Sequence, residues 1–237
     1  MDIIDSPSPN FDERREKVSI CVIHYTGMES AAAALARLRD PDAGVSSHYL
    51  IAEDGTVMRL VAEADRAWHA GRAYWRGIRD VNSASIGIEL ANPGHDHGYT
   101  EFPEPQMVAL QELMKGILAR HDIEPRNVVG HSDVAPDRKI DPGELFPWER
   151  LAAAGLAEAR PEPGIDPKWA DIGTLTALRR FGYETRVPRM SVSAFQRRWR
   201  PALHEGDIDV ETRAILLALL RSYEPDDLVL GNHFPRT

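Results

Sequence analysis

Chemically capable side chains cluster in residues 130–143, a segment that contains His131, Lys139 and Asp141 and directly follows an apolar run. Proline and glycine at positions 136, 142 and 143 predict a shaped loop here, because neither residue continues a regular helix. An imidazole and a carboxylate suit zinc, and a catalytic zinc uses three protein ligands plus one open position. The segment therefore predicts two metal ligands, His131 and Asp141.

A third ligand is expected at the end of an earlier strand. His24 follows an almost continuously apolar, β-branched run, which predicts a strand buried on both faces. In open α/β sheets, sites form beyond the carboxyl ends of the strands. His131 follows a similar apolar run, and Glu89 lies near the end of a third one. We therefore predict that His24, Glu89 and His131 converge at one edge of a parallel sheet.

Several separate motifs resemble those of the type-2 N-acetylmuramoyl-L-alanine amidases, which are zinc amidases related to the peptidoglycan recognition proteins. The motifs are His24, Ala-Trp-His-Ala-Gly at 67–71, Ser-Ile-Gly-Ile-Glu-Leu at 85–90 and the 130–143 segment, in the family's order. The resemblance covers roughly residues 17 to 150. Leu-Phe-Pro-Trp at 145–148 is most similar to the branch with outer-membrane lipoprotein amidases and cytoplasmic anhydromuropeptide-recycling amidases. The implied fold is α/β, a central mixed β-sheet flanked by helices, with a small all-α C-terminal domain.

The resemblance implies one Zn2+ per chain, held by His24, His131 and Asp141. A zinc in such a site lowers the pKa of a bound water to about 7. Glu89 is then the expected general base, which passes the proton of this water to the leaving amine. Lys139, between two ligands, is the expected donor to the oxyanion. The alternatives are a surface ion pair for Glu89 and a solvated side chain for Lys139.

Side chains between positions 68 and 82 are expected to contact the substrate. Trp68 and His69 would form the rim of the site, and the following loop offers stacking faces for sugar and cations for stem-peptide carboxylates. About half of these residues could instead be plain exposed loop. The candidates for substrate binding are Trp68, His69, Arg72, Tyr74, Trp75 and Asn82.

The chain is expected to contain two units. Residues 1–160, beginning with a polar lead-in at 1–16, form the amidase domain; proline-rich residues 161–167 form a linker; residues 168–237 form a small helical domain with a C-terminal tail. Phe-Gln at 195–196 and Gly-Asp at 206–207 resemble the three-helix peptidoglycan-binding module, with Asp209 as an N-cap. A helical appendage that binds no ligand is the equal alternative.

Periodicity also predicts local elements. Helices are expected over residues 29–39, 105–121 and 151–159, and a hairpin over 47–61 turns at Asp54-Gly55. In the helix 105–121, one apolar face would contain Met107, Leu110, Met114 and Ile117.

Bulk properties narrow the function classes. The 237 residues carry a net charge of −9, which argues against nucleic acid or an anionic membrane surface as a partner. No apolar run is long enough to span a bilayer, and the N-terminal residues have neither the basic nor the apolar region expected of a secretion signal. The single Cys21 excludes an intramolecular disulfide. We expect a cytoplasmic monomer, with a periplasmic or outer-membrane-attached location as the alternative if a signal segment was removed.

Together these features predict an amidase that cleaves between N-acetylmuramic (or 1,6-anhydro-N-acetylmuramic) acid and L-alanine of the peptidoglycan stem peptide. The expected partners are peptidoglycan fragments or anhydromuropeptides, in cell-wall recycling or turnover. Two alternatives remain: a protein that recognises peptidoglycan without cleaving it, and a zinc peptidase that acts on stem peptides.

Overall fold

The computed structural model describes residues 2–223. The tail predicted at the end of the second unit lies outside these residues. Within the described range, no helix combines the length and the apolar character needed to cross a membrane.

A six-stranded mixed sheet forms the centre of the molecule, in the order β1-β5-β4-β7-β3-β8, and β2 pairs with β6 in a separate antiparallel ribbon. The strands are β1 (Ile3–Asp5), β2 (Phe11–Glu13), β3 (Ile20–Tyr25), β4 (Tyr49–Ile51), β5 (Val57–Arg59), β6 (Asp65–Ala67), β7 (Ser85–Leu90) and β8 (Val128–Gly130). β3 runs parallel to both β7 and β8, which confirms the predicted arrangement of the three site-bearing strands.

Both faces of β3 are buried, as its apolar sequence predicts. Ile20 and Val22 point to one core cluster, whereas Cys21 and Ile23 belong to the cluster on the opposite face. Helix α3 (Glu104–His121) covers this opposite face, and its predicted apolar stripe is buried there. The sheet is therefore covered on both faces, as expected for the α/β class.

Several local predictions are confirmed. Helix α1 (Ala31–Arg39) begins after Ser30, whose hydroxyl accepts from the backbone of Ala33, and it ends at Asp40. β4 and β5 pair as the predicted hairpin. The helix expected over 151–159 is instead α5 (Trp148–Ala153), which ends early because Gly155 adopts a positive φ of 70° just after it.

The lead-in predicted for residues 1–16 is wrong in part, because it forms two strands. β1 adds in parallel to β5, and β2 pairs with β6, so backbone pairing orders a segment whose composition gave no strand signal. Arg14 fixes the end of this segment: its guanidinium donates to the carbonyl oxygens of Ser83, Ser85 and Asp65. A buried network of carbonyl acceptors therefore replaces apolar burial here.

Three helices follow the sheet domain: α6 (Asp171–Phe181), α7 (Pro188–Trp199) and α8 (Val210–Arg221). The carboxylate of Asp209 accepts from the backbone of Thr212 at 2.8 Å, which confirms the predicted N-cap of α8. These helices share one core cluster with the sheet, in which Phe195 and Ile215 join Val22 and Val129. The boundaries between domain, linker and helical unit remain predictions.

Two very short helices, α2 (Val81–Ala84) and α4 (His131–Val134), complete the architecture. Each is adjacent to a strand that leads to the site. α2 directly precedes β7, and α4 directly follows β8.

Glu63 connects the sheet to the end of α3. Its carboxylate accepts from Tyr49 Oη at 2.7 Å, Arg120 Nη2 at 2.6 Å and His121 Nε2 at 2.6 Å. Burial alone would raise the pKa of Glu63, but the hydrogen bonds from Arg120, Tyr49 and His121 outweigh it and lower this pKa to about 2. The ionised carboxylate therefore stabilises the folded state.

We predict that Glu63→Gln lowers the free energy of unfolding at pH 7 by about 1–3 kcal/mol, because hydrogen bonds to a charged group are lost. The pKa of Glu63 is lowered in the folded protein, so its stabilisation is complete above the ordinary value of 4.5 and is lost as the pH falls toward 2. Denaturant unfolding across this range should therefore show the wild type and the variant converging in acid. Glu112→Gln, at an exposed pair with Lys115 on α3, should match the wild type throughout. A constant difference at all pH values would contradict the prediction.

Candidate metal-dependent active site

Two imidazoles and one carboxylate converge at the edge formed by β3 and β8. The Nδ1 atoms of His24 and His131 are 3.0 Å apart, and each lies 3.1 Å from Oδ2 of Asp141. All three side chains are buried. These are the three residues that the sequence predicts as ligands, and they form a group that could hold a metal ion.

This triangle fits a metal ion better than it fits hydrogen bonds alone. Three atoms in mutual contact cannot all be satisfied by protons, because an imidazole Nδ1 either donates or accepts but does not do both. A tetrahedral zinc with bonds of about 2.0 Å separates its ligand atoms by about 3.3 Å, which is close to the observed spacing. The donor set of two imidazoles and a carboxylate is also one that zinc accepts.

Sheet register and a short turn position the three ligands. His24 lies opposite Glu89 in the parallel pairing of β3 with β7. His131 is the first residue of α4, directly after β8. Asp141 returns to this point at the far end of the loop, where its carbonyl oxygen accepts from the backbone of Ser132 at 2.8 Å. The loop is thus closed on itself at the site.

His69 lines the cavity and also contacts His24 from behind, and its predicted contact with substrate stays a prediction. Its Nδ1 lies 3.0 Å from His24 Nε2, and its Nε2 lies 3.2 Å from the hydroxyl of Ser85, which donates to the carbonyl of Val81. His69 is only 8% exposed. Burial lowers the pKa of His24 to about 4, so the ring is neutral and its Nε2–H can donate to His69 while Nδ1 faces the ligand triangle.

The second imidazole is oriented in the same way. His131 Nε2 lies 3.2 Å from the carbonyl oxygen of Ala70. A carbonyl only accepts, so this contact places the proton on Nε2 and leaves Nδ1 as the ligand atom. Both histidines therefore present the same nitrogen to the site, and each is fixed by a partner on the segment Ala67–Gly71.

Gly87 makes room for His69. A Cβ at this position would lie 2.4–2.6 Å from three atoms of the His69 ring, so no larger residue fits without displacing the imidazole. The backbone N–H of Gly87 also donates to His48 Nδ1 at 2.9 Å, and burial lowers the pKa of His48 to about 3. His48 therefore has a structural role behind the site.

Glu89 is half-buried beside the ligand triangle. Burial and the nearby charge of Asp141 raise its pKa well above the ordinary range, although Lys139 acts in the opposite direction. Its Oε2 atom has no hydrogen-bond partner among the described residues. A carboxyl group with a raised pKa and one free oxygen is suited to proton transfer.

A cavity of about 500 Å³ opens onto these groups. Glu89, Lys139, Trp68 and the three predicted metal ligands all line this cavity. The sequence analysis predicted each of them as a site residue. Further lining side chains carry charge or apolar surface, namely Met28, Arg37, Leu38, Asp96 and Arg138.

Four other residues that were predicted to contact the substrate do not line this cavity. Trp75 is buried in the core, 5.2 Å from Tyr183 between ring centres. Asn82 is also buried, and its Oδ1 accepts from the backbones of His69 and Ala70. Arg72 pairs with Asp137 outside the cavity, and Tyr74 lies under the guanidinium of Arg79. Trp75 and Asn82 therefore have structural roles, because their polar atoms and rings have partners inside the protein.

The supporting residues behind the ligands were not predicted from the sequence. Ser85 and Gly87 share one face of β7 with Glu89, because side chains alternate along a strand. Two small residues before a strand-end carboxylate leave a space that a side chain from another segment must fill. This pattern is the signal that could have placed His69 under the site.

Three side chains that could hold a metal ion lie beyond parallel strand ends, and a carboxyl group with a raised pKa lines the same cavity. This combination is typical of metal-dependent hydrolases. Residues 14–144 match the family model described as N-acetylmuramoyl-L-alanine amidase. The chain therefore belongs to this family of amidases, which confirms the family, the fold class and the type of enzyme predicted from the sequence.

Individual relatives agree with this assignment. The chain is 37% identical to the N-acetylmuramoyl-L-alanine amidase AmiD of Escherichia coli (strain K12), over 94% of this chain and 92% of the relative. It is 34% identical to the 1,6-anhydro-N-acetylmuramyl-L-alanine amidase AmpD of Haemophilus influenzae, over 62% of this chain and 89% of that protein.

Solved structures show the same fold. The complex of E. coli AmiD with anhydro-N-acetylmuramic acid-L-Ala-D-gamma-Glu-L-Lys superposes with a TM-score of 0.80 at 36% identity, covering 90% of this chain and 98% of AmiD. AmpDh3 of Pseudomonas aeruginosa in complex with anhydromuramic pentapeptide has a TM-score of 0.75 at 33% identity, covering 89% and 94% of the two chains. Both matches extend beyond the sheet domain into the C-terminal helices.

We predict that Gly87→Ala weakens zinc binding by about 10–100-fold, because the added methyl group displaces His69 from His24. Competition with a fluorescent chelator measures this affinity. Gly164→Ala is the matched control, since a Cβ there meets nothing within 4 Å. Unchanged zinc affinity in Gly87→Ala would show that His69 does not orient His24.

Proposed function

We propose that this amidase uses one zinc ion to hydrolyse the amide bond between the lactyl group of 1,6-anhydro-N-acetylmuramic acid and L-alanine of a stem peptide. The main support for this proposal is that His24, His131 and Asp141 converge beside Glu89 in one open cavity. The substrates named for AmiD and AmpDh3, both anhydromuramic peptides, support the choice of sugar.

Zinc held by this ligand set would act as a Lewis acid toward the amide carbonyl and the attacking water. The protein supplies the proton transfers. Glu89 would accept a proton from the water through its free Oε2 and deliver it to the nitrogen of the departing L-alanine. The raised pKa of Glu89 favours this exchange, because it strengthens the carboxylate as a proton acceptor.

Lys139 is proposed to stabilise the negative charge that develops on the amide oxygen. It lines the cavity between the ligand-bearing ends of its loop, and its charge acts on both His24 and Glu89. A cation held at this point costs no reorganisation when the oxyanion forms.

Two other functions are weighed against this one. A protein that only recognises peptidoglycan does not need a proton-exchanging carboxyl group in the metal cavity, so Glu89 argues against it. A zinc peptidase would have the same ligands, and the products distinguish the two enzymes. The amidase releases a free stem peptide with an L-alanine amino terminus and the intact sugar acid.

Mass spectrometry of the products tests the proposal. A purified anhydromuropeptide should yield anhydro-N-acetylmuramic acid and the complete stem peptide. Cleavage within the peptide would identify a peptidase, and binding without any cleavage would identify a recognition protein. Assaying intact sacculi beside the small muropeptide measures whether recycled fragments or polymer are preferred.

Recycling of small muropeptides is the proposed role, by a cytoplasmic monomer. Cell fractionation tests the location, and sedimentation of the purified protein tests the oligomeric state. Recovery of the protein with the envelope would instead favour turnover of polymeric peptidoglycan.

We predict that the purified protein binds one zinc per chain and that His131→Ala loses it, because the remaining two ligands leave an incomplete site. Elemental analysis after dialysis against a chelator measures the occupancy. His97→Ala, in the loop after β7 and outside the ligand group, serves as the histidine control. Full zinc occupancy in His131→Ala would contradict the ligand set.

We predict that Glu89→Gln lowers kcat by about 10²–10⁴-fold while zinc remains bound, because the amide keeps the shape of the side chain but cannot accept the proton. Steady-state kinetics and zinc analysis on the same sample measure both quantities. Glu101→Gln replaces an exposed carboxylate in the next loop and should retain the wild-type rate. A wild-type rate in Glu89→Gln would remove Glu89 from the mechanism.

A further inference from the structure

Helix α7 contacts the chain on both sides of the loop that carries two metal ligands. We call residues 131–141 the ligand loop, because His131 begins it and Asp141 ends it. Arg198 of α7 pairs with Asp133, two residues after His131. Arg197 pairs with Glu144, three residues after Asp141. Consecutive arginines of one helix therefore form ion pairs near both ends of the loop.

The contact at Asp133 is fully buried. Arg198 Nη1 donates to Asp133 Oδ2 at 3.1 Å and to the carbonyl oxygen of Val128 at 2.9 Å. Tyr183, in the turn between α6 and α7, donates its hydroxyl to Asp133 Oδ1 at 2.5 Å. The same carboxylate accepts from the backbone N–H of Gly130 at 2.7 Å. Asp133 thus joins the C-terminal helices to the turn that aims His131.

The guanidinium of Arg198 is further fixed by aromatic rings from both units. It lies 4.0 Å from the ring centre of Trp148 in α5 and 4.7 Å from that of Trp199 in α7. Cation–π contacts of a desolvated guanidinium contribute on the order of 2 kcal/mol. The side chain is only 4% exposed, so its position is determined by these partners and not by solvent.

The contact at Glu144 joins the same helix to the other end of the loop. Arg197 Nε lies 3.4 Å from Glu144 Oε2, and the Arg197 side chain is only 13% exposed. His95 Nε2 lies 3.1 Å from the same carboxylate, and the His95 ring stacks on Tyr99. Tyr99 in turn donates to the carbonyl of Pro142 at 2.6 Å, directly beside Asp141.

A displacement at either contact would be transmitted to the ligands, because the loop has little freedom. The backbone of Ser132 donates to the carbonyl of Asp141, which ties the two ends together. A Cβ at Gly130 would lie 2.7 Å from Pro142 Cδ, so the strand end and the loop end are packed closely. Packed segments of this kind shift as a unit.

We propose that Arg197, Arg198 and Tyr183 are positioning residues for the metal site, through which the C-terminal helices hold His131 and Asp141 at the spacing that a metal ion requires. The proposal rests on the proposed zinc amidase function. It assigns to the helical unit a role in the reaction centre that is separate from any binding of peptidoglycan.

Zinc affinity is the decisive measurement, because a helix that only stabilised the fold would not change the affinity of the folded protein. Tyr183→Phe removes one hydrogen bond to Asp133 and preserves the ring, so we expect zinc to bind about 3–10-fold more weakly, less than when a direct partner of a ligand is lost. Arg197→Gln should give a loss of similar size. The double variant should lose more than either single variant, since the two contacts hold opposite ends of the loop.

Conservative variants and a matched control separate positioning from stability. Arg197→Lys keeps the charge beside Glu144 and should recover most of the zinc affinity. Arg213→Gln removes the pair with Asp166 in the same helical unit, at 2.7 Å, without contacting the ligand loop. It should lower the unfolding midpoint and leave zinc affinity unchanged. All affinities are measured by chelator competition well below the unfolding midpoint of each variant.

Kinetics at saturating zinc provide a second readout. Tyr183→Phe and Arg197→Gln should reduce kcat more than they change KM, because the loop carries His131, Asp141 and Lys139, which act on the reacting bond. Zinc affinities within twofold of the wild type in both variants would overturn the proposal. If the wild type binds zinc but cleaves no muropeptide, the proposed function fails, while the affinity series still decides the role of α7.

Discussion

Three ligand atoms held in mutual contact and out of water are the constraint on which the structure depends. The Nδ1 atoms of His24 and His131 and the Oδ2 atom of Asp141 lie 3.0–3.1 Å from one another. Burial of such polar atoms is costly without a partner, and hydrogen bonds cannot satisfy all three contacts at once. A cation resolves this conflict, so the protein must hold segments 117 residues apart in sequence at a fixed spacing.

The parallel register of the sheet fixes most of this spacing between distant segments. β3 and β7 place His24 opposite Glu89, and β8 delivers His131 one step beyond the pairing of Ile23 with Gly130. A shift of one residue in either pairing would turn a site side chain to the other face of the sheet. The apolar residues that alternate with the site residues are buried, so the hydrophobic core and the active site specify the same register.

Sequence reasoning located the ligands because their signals are local. A histidine after an apolar run, or a carboxylate in a proline-rich loop, can be recognised without the fold. The roles of His69, Asn82 and Trp75 could not be found in this way. Asn82 caps backbone amides of another segment, and Trp75 is buried by Tyr183, more than 100 residues away. Burial by a distant helix leaves no trace in the neighbouring residues, and so these aromatic and polar side chains resembled a binding surface.

The sequence analysis missed the strands β1 and β2 and the contacts of α7 with the ligand loop for the same physical reason. β1 is held by backbone pairing to β5, which any sequence can make, and Arg14 is held by carbonyl oxygens that carry no sequence identity. Asp133 resembles an ordinary loop carboxylate until Arg198 and Tyr183 reach it from the C-terminal helices. Interactions that depend on main-chain atoms or on distant partners are specified by topology, not by local residue type.

The final question is why two neighbouring carboxyl groups take different roles. Burial raises the pKa of both, but the imidazoles of His131 and His24 contact Asp141 and lower its pKa below the ordinary range. Among residues 2–223, no imidazole makes such a contact with Glu89, and the charge of Asp141 raises its pKa further. Environments that separate the pKa values of two acids assign one to carry charge and the other to exchange a proton. The surroundings of Asp141 therefore suit the ligand role proposed for it, and those of Glu89 suit the proposed proton transfer, because each group's nearest neighbours stabilise a different protonation state.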